Sequence, residues 1–89
     1  MALALVTGSA GLIGSESVKF LIDKGLDVVG IDNNMREYFF GKDASTVWNR
    51  DFLIQKYKNY YHFNIDIRNN EELEKIFKKF KFDLIIHTA

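Results

Sequence analysis

The sequence contains no cysteine and no proline. The absence of cysteine excludes disulfides, thiolate catalysis and cysteine-based zinc sites. The two histidines, His62 and His87, are too few and too far apart in the sequence to indicate a metal site. The longest apolar runs have about five residues, against the roughly 20 needed to span a bilayer, and Met1–Val6 is too short and uncharged for a signal peptide. We therefore expect a cytoplasmic protein without a membrane partner.

The chain also lacks an excess of charge of either sign. Twelve Lys and Arg residues balance twelve Asp and Glu residues, and the formal net charge is +0. A dedicated nucleic-acid-binding protein usually has a basic excess, so we expect no nucleic-acid partner. With 89 residues, no linker-like segment and no internal repeat, residues 1–89 are expected to form one small domain or part of one.

Apolar runs alternate with amphipathic segments along the whole chain. This alternation predicts α/β architecture, with parallel strands joined by helical crossovers in the order β-α-β-α-β-α-β. Near-continuous apolar strands favour a sheet covered on both faces, with the last strand fully buried. We expect the first half of a doubly wound sheet with strand order 3-2-1-4. The predicted strands are Ala2–Thr7, Asp27–Asp32, Tyr60–Ile67 and Phe82–Ala89. The predicted helices are Leu12–Lys24, about residues 45 to 57 with Ser45 or Thr46 as N-cap, and one that Asn69 caps.

A glycine-rich loop of the form G-x-x-G-x-x-G lies between the first predicted strand and the first predicted helix. Gly8 permits a tight turn, Gly11 removes a side chain where a pyrophosphate would approach the backbone, and Gly14 lets the helix and the strand pack closely. Free N–H groups at the start of the helix can then bind phosphates. The alternative is a glycine turn that only joins a strand to a helix.

An acidic residue at the end of the second predicted strand favours the dinucleotide interpretation. Asp32 lies 18 residues after Gly14. A carboxylate there can accept hydrogen bonds from the adenosine ribose hydroxyls and repels a 2′-phosphate, which points to NAD rather than NADP. Arg36 is close enough in sequence to weaken that choice.

Polar residues also end the third and fourth predicted strands. Because the carboxyl ends of parallel strands line the cofactor crevice, Asp66 can face the adenine amino group. Alternatively, Asp66 and Arg68 form a polar turn before the next helix. His87 lies at the end of the fourth strand and borders the crevice, or is an ordinary buried histidine.

One pair of residues has the spacing of a known type of catalytic pair. Tyr38 and Lys42 fit the spacing Y-x-x-x-K, in which a lysine lowers the pKa of a tyrosine acid/base. Gly41 would interrupt the helix that this chemistry needs, and the segment follows Asp32 at the adenosine end. We interpret the match as a coincidence and expect no catalytic residue in this chain.

The motifs VTGSAGLIGS, GIDN, DIRN and LIIHTA, in this order, resemble the start of the NAD-dependent epimerase/dehydratase family, the extended short-chain dehydrogenases/reductases. The resemblance implies a Rossmann-type fold and NAD as cofactor. It also implies nucleotide-sugar metabolism, with a hydride taken from a sugar carbon and returned after the keto intermediate reorients. The residues that it implies at the pyrophosphate, the ribose, the adenine and the strand end bordering the cofactor are Gly8, Gly11, Leu12, Ile13, Gly14, Asp32, Asn33, Asp66, Ile67, His87, Thr88 and Ala89.

The segment Asp32–Arg50 resembles an insertion in proteins similar to CDP-paratose (CDP-tyvelose) 2-epimerase. In the family, a serine or threonine and the Y-x-x-x-K pair follow the fifth strand, whereas four strands are predicted here. We therefore expect the N-terminal part of such an isomerase, inactive alone, whose full-length form binds a nucleotide sugar and is a homodimer. The alternatives are a stand-alone NAD-binding or sensing module, the cofactor part of a dehydratase or reductase, and a fragment without function.

The last predicted strand has a consequence for stability. A fourth strand without a fifth leaves unpaired backbone groups and apolar side chains at a sheet edge. We expect a marginally stable chain that dimerises edge to edge or aggregates.

Overall fold

The computed structural model describes residues 2–32 and 47–88, and strands and helices alternate through both parts. The strands are β1 (Leu3–Thr7), β2 (Asp27–Ile31), β3 (Tyr60–Phe63) and β4 (Leu84–His87). The helices are α1 (Leu12–Asp23), α2 (Val47–Lys56) and α3 (Asn70–Lys79).

The strands form one parallel sheet in the order β3-β2-β1-β4. In the central part of the sheet, Leu5 of β1 lies opposite Val29 of β2 and Ile85 of β4. This arrangement confirms the predicted order 3-2-1-4. It also places the carboxyl ends of the four strands along one edge, where the polar residues of the predicted site follow them.

Apolar side chains cover both faces of the sheet, because successive residues of a strand point to opposite faces. On one face, strand residues pack with α1 and α2 in a buried cluster of Ala4, Val6, Val18, Leu21, Val28, Leu53 and Tyr60. On the other face, α3 supplies Ile76 to a smaller cluster with Leu5, Val29 and Ile31. The expectation of a sheet covered on both faces holds for β1 and β2.

The fourth strand departs from its prediction. It was expected to be fully buried, but it is the last strand in the sheet order, and Leu84 and Ile85 are 42% and 52% exposed. The buried cluster beneath α3 is built on β1 and β2 rather than on β4. The prediction of a buried strand was therefore wrong for this side of the sheet, whereas the prediction of exposed apolar side chains on the fourth strand is confirmed.

The third strand is shorter than predicted. It ends at Phe63 instead of Ile67. At this end, the backbone N–H of Asp32, which follows β2, donates a hydrogen bond to the carbonyl of Phe63 (3.3 Å). The backbone then turns, with Ile65 N–H donating to the same carbonyl (3.1 Å). Asp66 therefore lies in a connection after the strand and not at its end.

The helix ends agree with their sequence signals. Gly25, with φ of +92°, follows the end of α1 in the left-handed region that the predicted C′ glycine requires. The side chain of Asn69 accepts a hydrogen bond from Glu72 N–H at the start of α3, which confirms the predicted N-cap. The predicted caps of the second helix, Ser45 and Thr46, lie outside the described residues.

Candidate cofactor-binding site

The glycine-rich loop makes a tight turn immediately after β1. Gly8 has φ of +69°, a conformation that favours glycine, and its N–H donates to the carbonyl of Ile31 at the end of β2 (2.7 Å). A Cβ atom on Gly14 would overlap the carbonyl oxygen of Gly8. The first turn of α1 therefore packs directly on the loop, as the role predicted for Gly14 requires, although the contact is with the turn rather than the strand.

The start of α1 presents backbone donors. Gly11 is the N-cap residue and has no side chain to accept a hydrogen bond from the first turn, which also contains no acidic residue. The first N–H groups of an α-helix have no acceptor within the helix, and the helix dipole makes this end positive. Leu12 and Ile13 are 80% and 70% exposed, so this turn is accessible. The arrangement can bind an anion such as a pyrophosphate.

Asp32 lies against this loop. Its Oδ2 atom accepts a hydrogen bond from the backbone N–H of Ala10 at 3.0 Å. The contact joins residues that are 22 positions apart and brings the carboxylate at the end of β2 to the turn that precedes α1. An acceptor for hydroxyl groups and a helix N-terminus are thus placed side by side.

Residues at the end of β4 are hydrogen-bonded to Thr7, which directly precedes the same loop. Thr88 Oγ1 donates to the carbonyl of Thr7 at 2.7 Å, and His87 Nδ1 lies 2.6 Å from Thr7 Oγ1. His87 is exposed, so its interpretation as an ordinary buried histidine was wrong. His87 and Thr88 border the loop, as the predicted site requires.

Asp66 lies apart from these contacts and is paired with its neighbour in the sequence. Arg68 binds both carboxylate oxygens, with Nη2 2.7 Å from Oδ2 and Nε 3.1 Å from Oδ1, and its backbone N–H donates as well (2.9 Å). These hydrogen bonds from Arg68 lower the pKa of Asp66 to about 2. The polar turn proposed as the alternative is therefore formed, while the role of Asp66 and of the half-buried Ile67 at the adenine stays a prediction.

Several predicted residues lie outside the described residues. They are Asn33, the neighbouring Arg36, the pair Tyr38 and Lys42, and Ala89.

A buried group of polar side chains beneath the loop was not predicted from the sequence. Ser9 Oγ is hydrogen-bonded to the Tyr60 hydroxyl at 2.7 Å, and the same hydroxyl is 2.7 Å from His62 Nδ1. Gly30 was a usable signal, because a glycine inside a strand often marks the close approach of another group. A Cβ atom on Gly30 would overlap both hydroxyls.

Residues 2–32 and 47–88 contain no group of three or more His, Cys, Asp or Glu side chains that could hold a metal ion. Within the same residues, every helix is too short or too polar to cross a membrane.

Comparison with known proteins identifies the family. The family profile described as GDP-mannose 4,6 dehydratase matches residues 5–89, nearly the whole chain. The chain belongs to this family. The predicted membership of the NAD-dependent epimerases and dehydratases is thereby confirmed, while the narrower resemblance to CDP-paratose 2-epimerase stays a prediction.

Members and structural neighbours of the family are much longer than this chain. A UDP-glucose 4-epimerase of Pisum sativum is 37% identical over 86 residues, which is 96% of this chain and 23% of the relative. The dTDP-glucose 4,6-dehydratase of Bacillus anthracis, solved in complex with NAD, superposes with a TM-score of 0.78 and 26% identity, covering 100% of this chain and 27% of the neighbour.

The UDP-glucose 4-epimerase of Thermotoga maritima, solved with UDP-glucose, gives a TM-score of 0.73 and 30% identity over 98% of this chain and 24% of the neighbour. The chain thus spans about a quarter of the length of these proteins. The superpositions cover all of the described strands and helices, and the predicted Rossmann-type half-sheet is confirmed.

Proposed function

We propose that this chain is the NAD-binding region of a nucleotide-sugar epimerase or dehydratase. The hydrogen bond between Asp32 and Ala10 is the main support, because it brings a carboxylate next to the N-terminal end of α1, as a site for a ribose beside a pyrophosphate would need. Family membership and the NAD held by the solved Bacillus anthracis neighbour agree with this interpretation.

In this proposal each part of the site binds one part of the cofactor. The N–H groups at the start of α1 hold the pyrophosphate, and the absence of a Cβ at Gly11 leaves the backbone open to it. Asp32 accepts hydrogen bonds from the adenosine ribose hydroxyls, and its negative charge repels a 2′-phosphate, so NAD is preferred to NADP. NAD⁺, when bound, would provide the group that accepts a hydride from a sugar carbon.

The finer proposal is a CDP-paratose 2-epimerase-like isomerase that acts on a nucleotide sugar. It rests on the resemblance of Asp32–Arg50, most of which lies outside the described residues. The proposed catalytic Tyr and Lys would follow the region that this chain matches, so we expect residues 1–89 to bind the cofactor without turnover. For the full-length enzyme we propose a cytoplasmic homodimer.

Calorimetric titration of the chain with NAD⁺ and with NADP⁺ tests the proposal. We expect saturable binding of NAD⁺ and weaker binding of NADP⁺. Asp32→Ala should weaken NAD⁺ binding roughly tenfold or more, because hydrogen bonds to a charged acceptor are lost. Asp32→Asn keeps an oxygen that can accept from Ala10 N–H but loses the negative charge. It should therefore reduce the difference in affinity between NAD⁺ and NADP⁺.

Asp23→Ala is the matched control, since it removes the same charge from the opposite end of α1. It should bind NAD⁺ like the unaltered chain. Equal affinities for NAD⁺ in the Asp32 and Asp23 variants, or no binding by a chain that circular dichroism shows to be folded, would refute the proposal.

A further inference from the structure

A hydrogen-bonded chain of three side chains runs beneath the glycine-rich loop. It consists of Ser9 Oγ, the Tyr60 hydroxyl and His62 Nδ1, and both hydrogen bonds measure 2.7 Å. Ser9 is 0% exposed and Tyr60 is 5% exposed. Because a buried hydroxyl without a partner is costly, each of these groups holds the next in place.

The bond between Ser9 and Tyr60 spans one strand of the sheet. The loop follows β1 and Tyr60 begins β3, while β2 lies between these strands. The two hydroxyls meet above β2 at Gly30, in the space that a Cβ atom at this position would fill. Because Gly30 has no side chain, it leaves room for Tyr60 of the third strand to contact Ser9 of the loop.

Further contacts join the loop to the end of β2. Gly8 N–H and Ser9 N–H both donate to the carbonyl of Ile31, at 2.7 and 3.4 Å, and Ala10 N–H donates to Asp32. Asp32 is the residue that the ribose would engage in the proposed function. The bond between Ser9 and Tyr60 does not use the Asp32 carboxylate, so it can keep the loop in place while that carboxylate binds a ligand.

We propose that Ser9 and Tyr60 are positioning residues that hold the glycine-rich loop in its cofactor-binding conformation, with His62 fixing the orientation of the Tyr60 hydroxyl. The inference rests on the proposed function, since it assigns a role toward the dinucleotide. Its structural basis is the buried hydrogen bond between Ser9 and Tyr60. This bond connects the loop after β1 to β3, although β2 lies between these two strands.

The test combines two measurements on the 89-residue chain and its Ser9→Ala, Tyr60→Phe and doubly substituted variants. Amide hydrogen exchange of residues 8–11 without cofactor reports on the loop, and calorimetry gives the Kd for NAD⁺. We expect faster exchange of these amides and a Kd for NAD⁺ about tenfold higher in each single variant. A tenfold rise corresponds to a loop that adopts its cofactor-binding conformation about a tenth of the time. The double variant should be no worse than Tyr60→Phe alone, because Tyr60→Phe already removes the bond that Ser9→Ala removes.

Two control variants separate positioning from general stability. Tyr61→Phe removes a hydroxyl from the next residue of β3, which points to the opposite sheet face and is 50% exposed. Val18→Ala destabilises the core beneath α1, where Val18 is fully buried. We expect both controls to keep the local exchange of residues 8–11 and the Kd for NAD⁺, although Val18→Ala should lower the midpoint of unfolding.

The outcomes distinguish this inference from the proposed function. Failure of the unaltered, folded chain to bind NAD⁺ would refute the proposed function, whereas unchanged exchange in Ser9→Ala would refute the positioning role. If Tyr60→Phe does not fold, Ser9→Ala still removes the same bond and leaves the aromatic ring in place. Additive effects of the two substitutions, or equal effects in Val18→Ala, would also overturn the inference.

Discussion

Gly14 in the first turn of α1 lies so close to Gly8 that a Cβ atom on Gly14 would overlap the Gly8 carbonyl oxygen. Two glycines six residues apart therefore fix the distance between the helix and the turn before it. The geometry of the proposed cofactor site depends on this contact, because the contact determines where the N–H groups of the first turn of α1 lie relative to Asp32.

Gly14→Ala is expected to destabilise the chain by about 1–3 kcal/mol, because the added methyl group meets backbone that cannot move aside freely. Denaturant unfolding measures the change in the free energy of unfolding. Gly11→Ala is the matched control, since its Cβ would meet the same oxygen at 3.3 Å, a contact that a small shift relieves. Equal stabilities of these two variants would contradict the prediction.

Stability should depend on pH through His62. Burial lowers the pKa of His62 from 6.5, Arg50 on α2 lowers it further, and Asp32 and Asp51 oppose the shift. The unfolded chain then binds a proton more readily than the folded chain, so the contribution to stability is present above pH 6.5 and is lost as the pH falls below it.

Urea unfolding at about pH 7.5 and about pH 5.5 measures this dependence, with lower stability expected at the lower pH. His62→Gln removes the titrating group and should reduce the difference between the two values. The explanation fails if the variant keeps the full difference.

The N-cap of α3 offers a local test of stability. Asn69→Ala removes the side-chain acceptor for Glu72 N–H and should cost about 1 kcal/mol in the free energy of unfolding. Asn70→Ala, at the exposed first position of the same helix, removes an amide without removing the cap and should change stability much less. The expected order would be disproved if Asn70→Ala were the more destabilising substitution.

The edge strand should make the chain self-associate. β4 presents Ile85 at 52% exposure, and an exposed apolar edge is a template for pairing with another strand. Ile85→Lys should shift the chain toward the monomer in sedimentation velocity. Ile54→Lys on α2, where Ile54 is 48% exposed, is the control and should leave association unchanged. A monomeric unaltered chain would contradict this prediction.

The alternation of strands and helices and the glycine-rich turn could be predicted because their signals are local. Apolar runs of strand length, helical periodicity and glycines at a turn each reflect short-range sterics and hydrogen bonding. The same local logic predicted the left-handed Gly25 and the cap at Asn69, and both are confirmed. The exact end of β3 was mistaken because hydrophobic alternation continues beyond Phe63, while pairing with β2 ends there.

The amino-acid sequence alone determined the alternation of strands and helices, the tight turn at Gly8 and the position of Asp32 after the second strand. Only the tertiary structure decided that Asp32 contacts Ala10 and that Ser9 reaches Tyr60 across Gly30. Each of these depends on which strands become neighbours and how deeply they are covered. Contacts between residues 22, 51 or more positions apart arise from packing, and no local propensity encodes them.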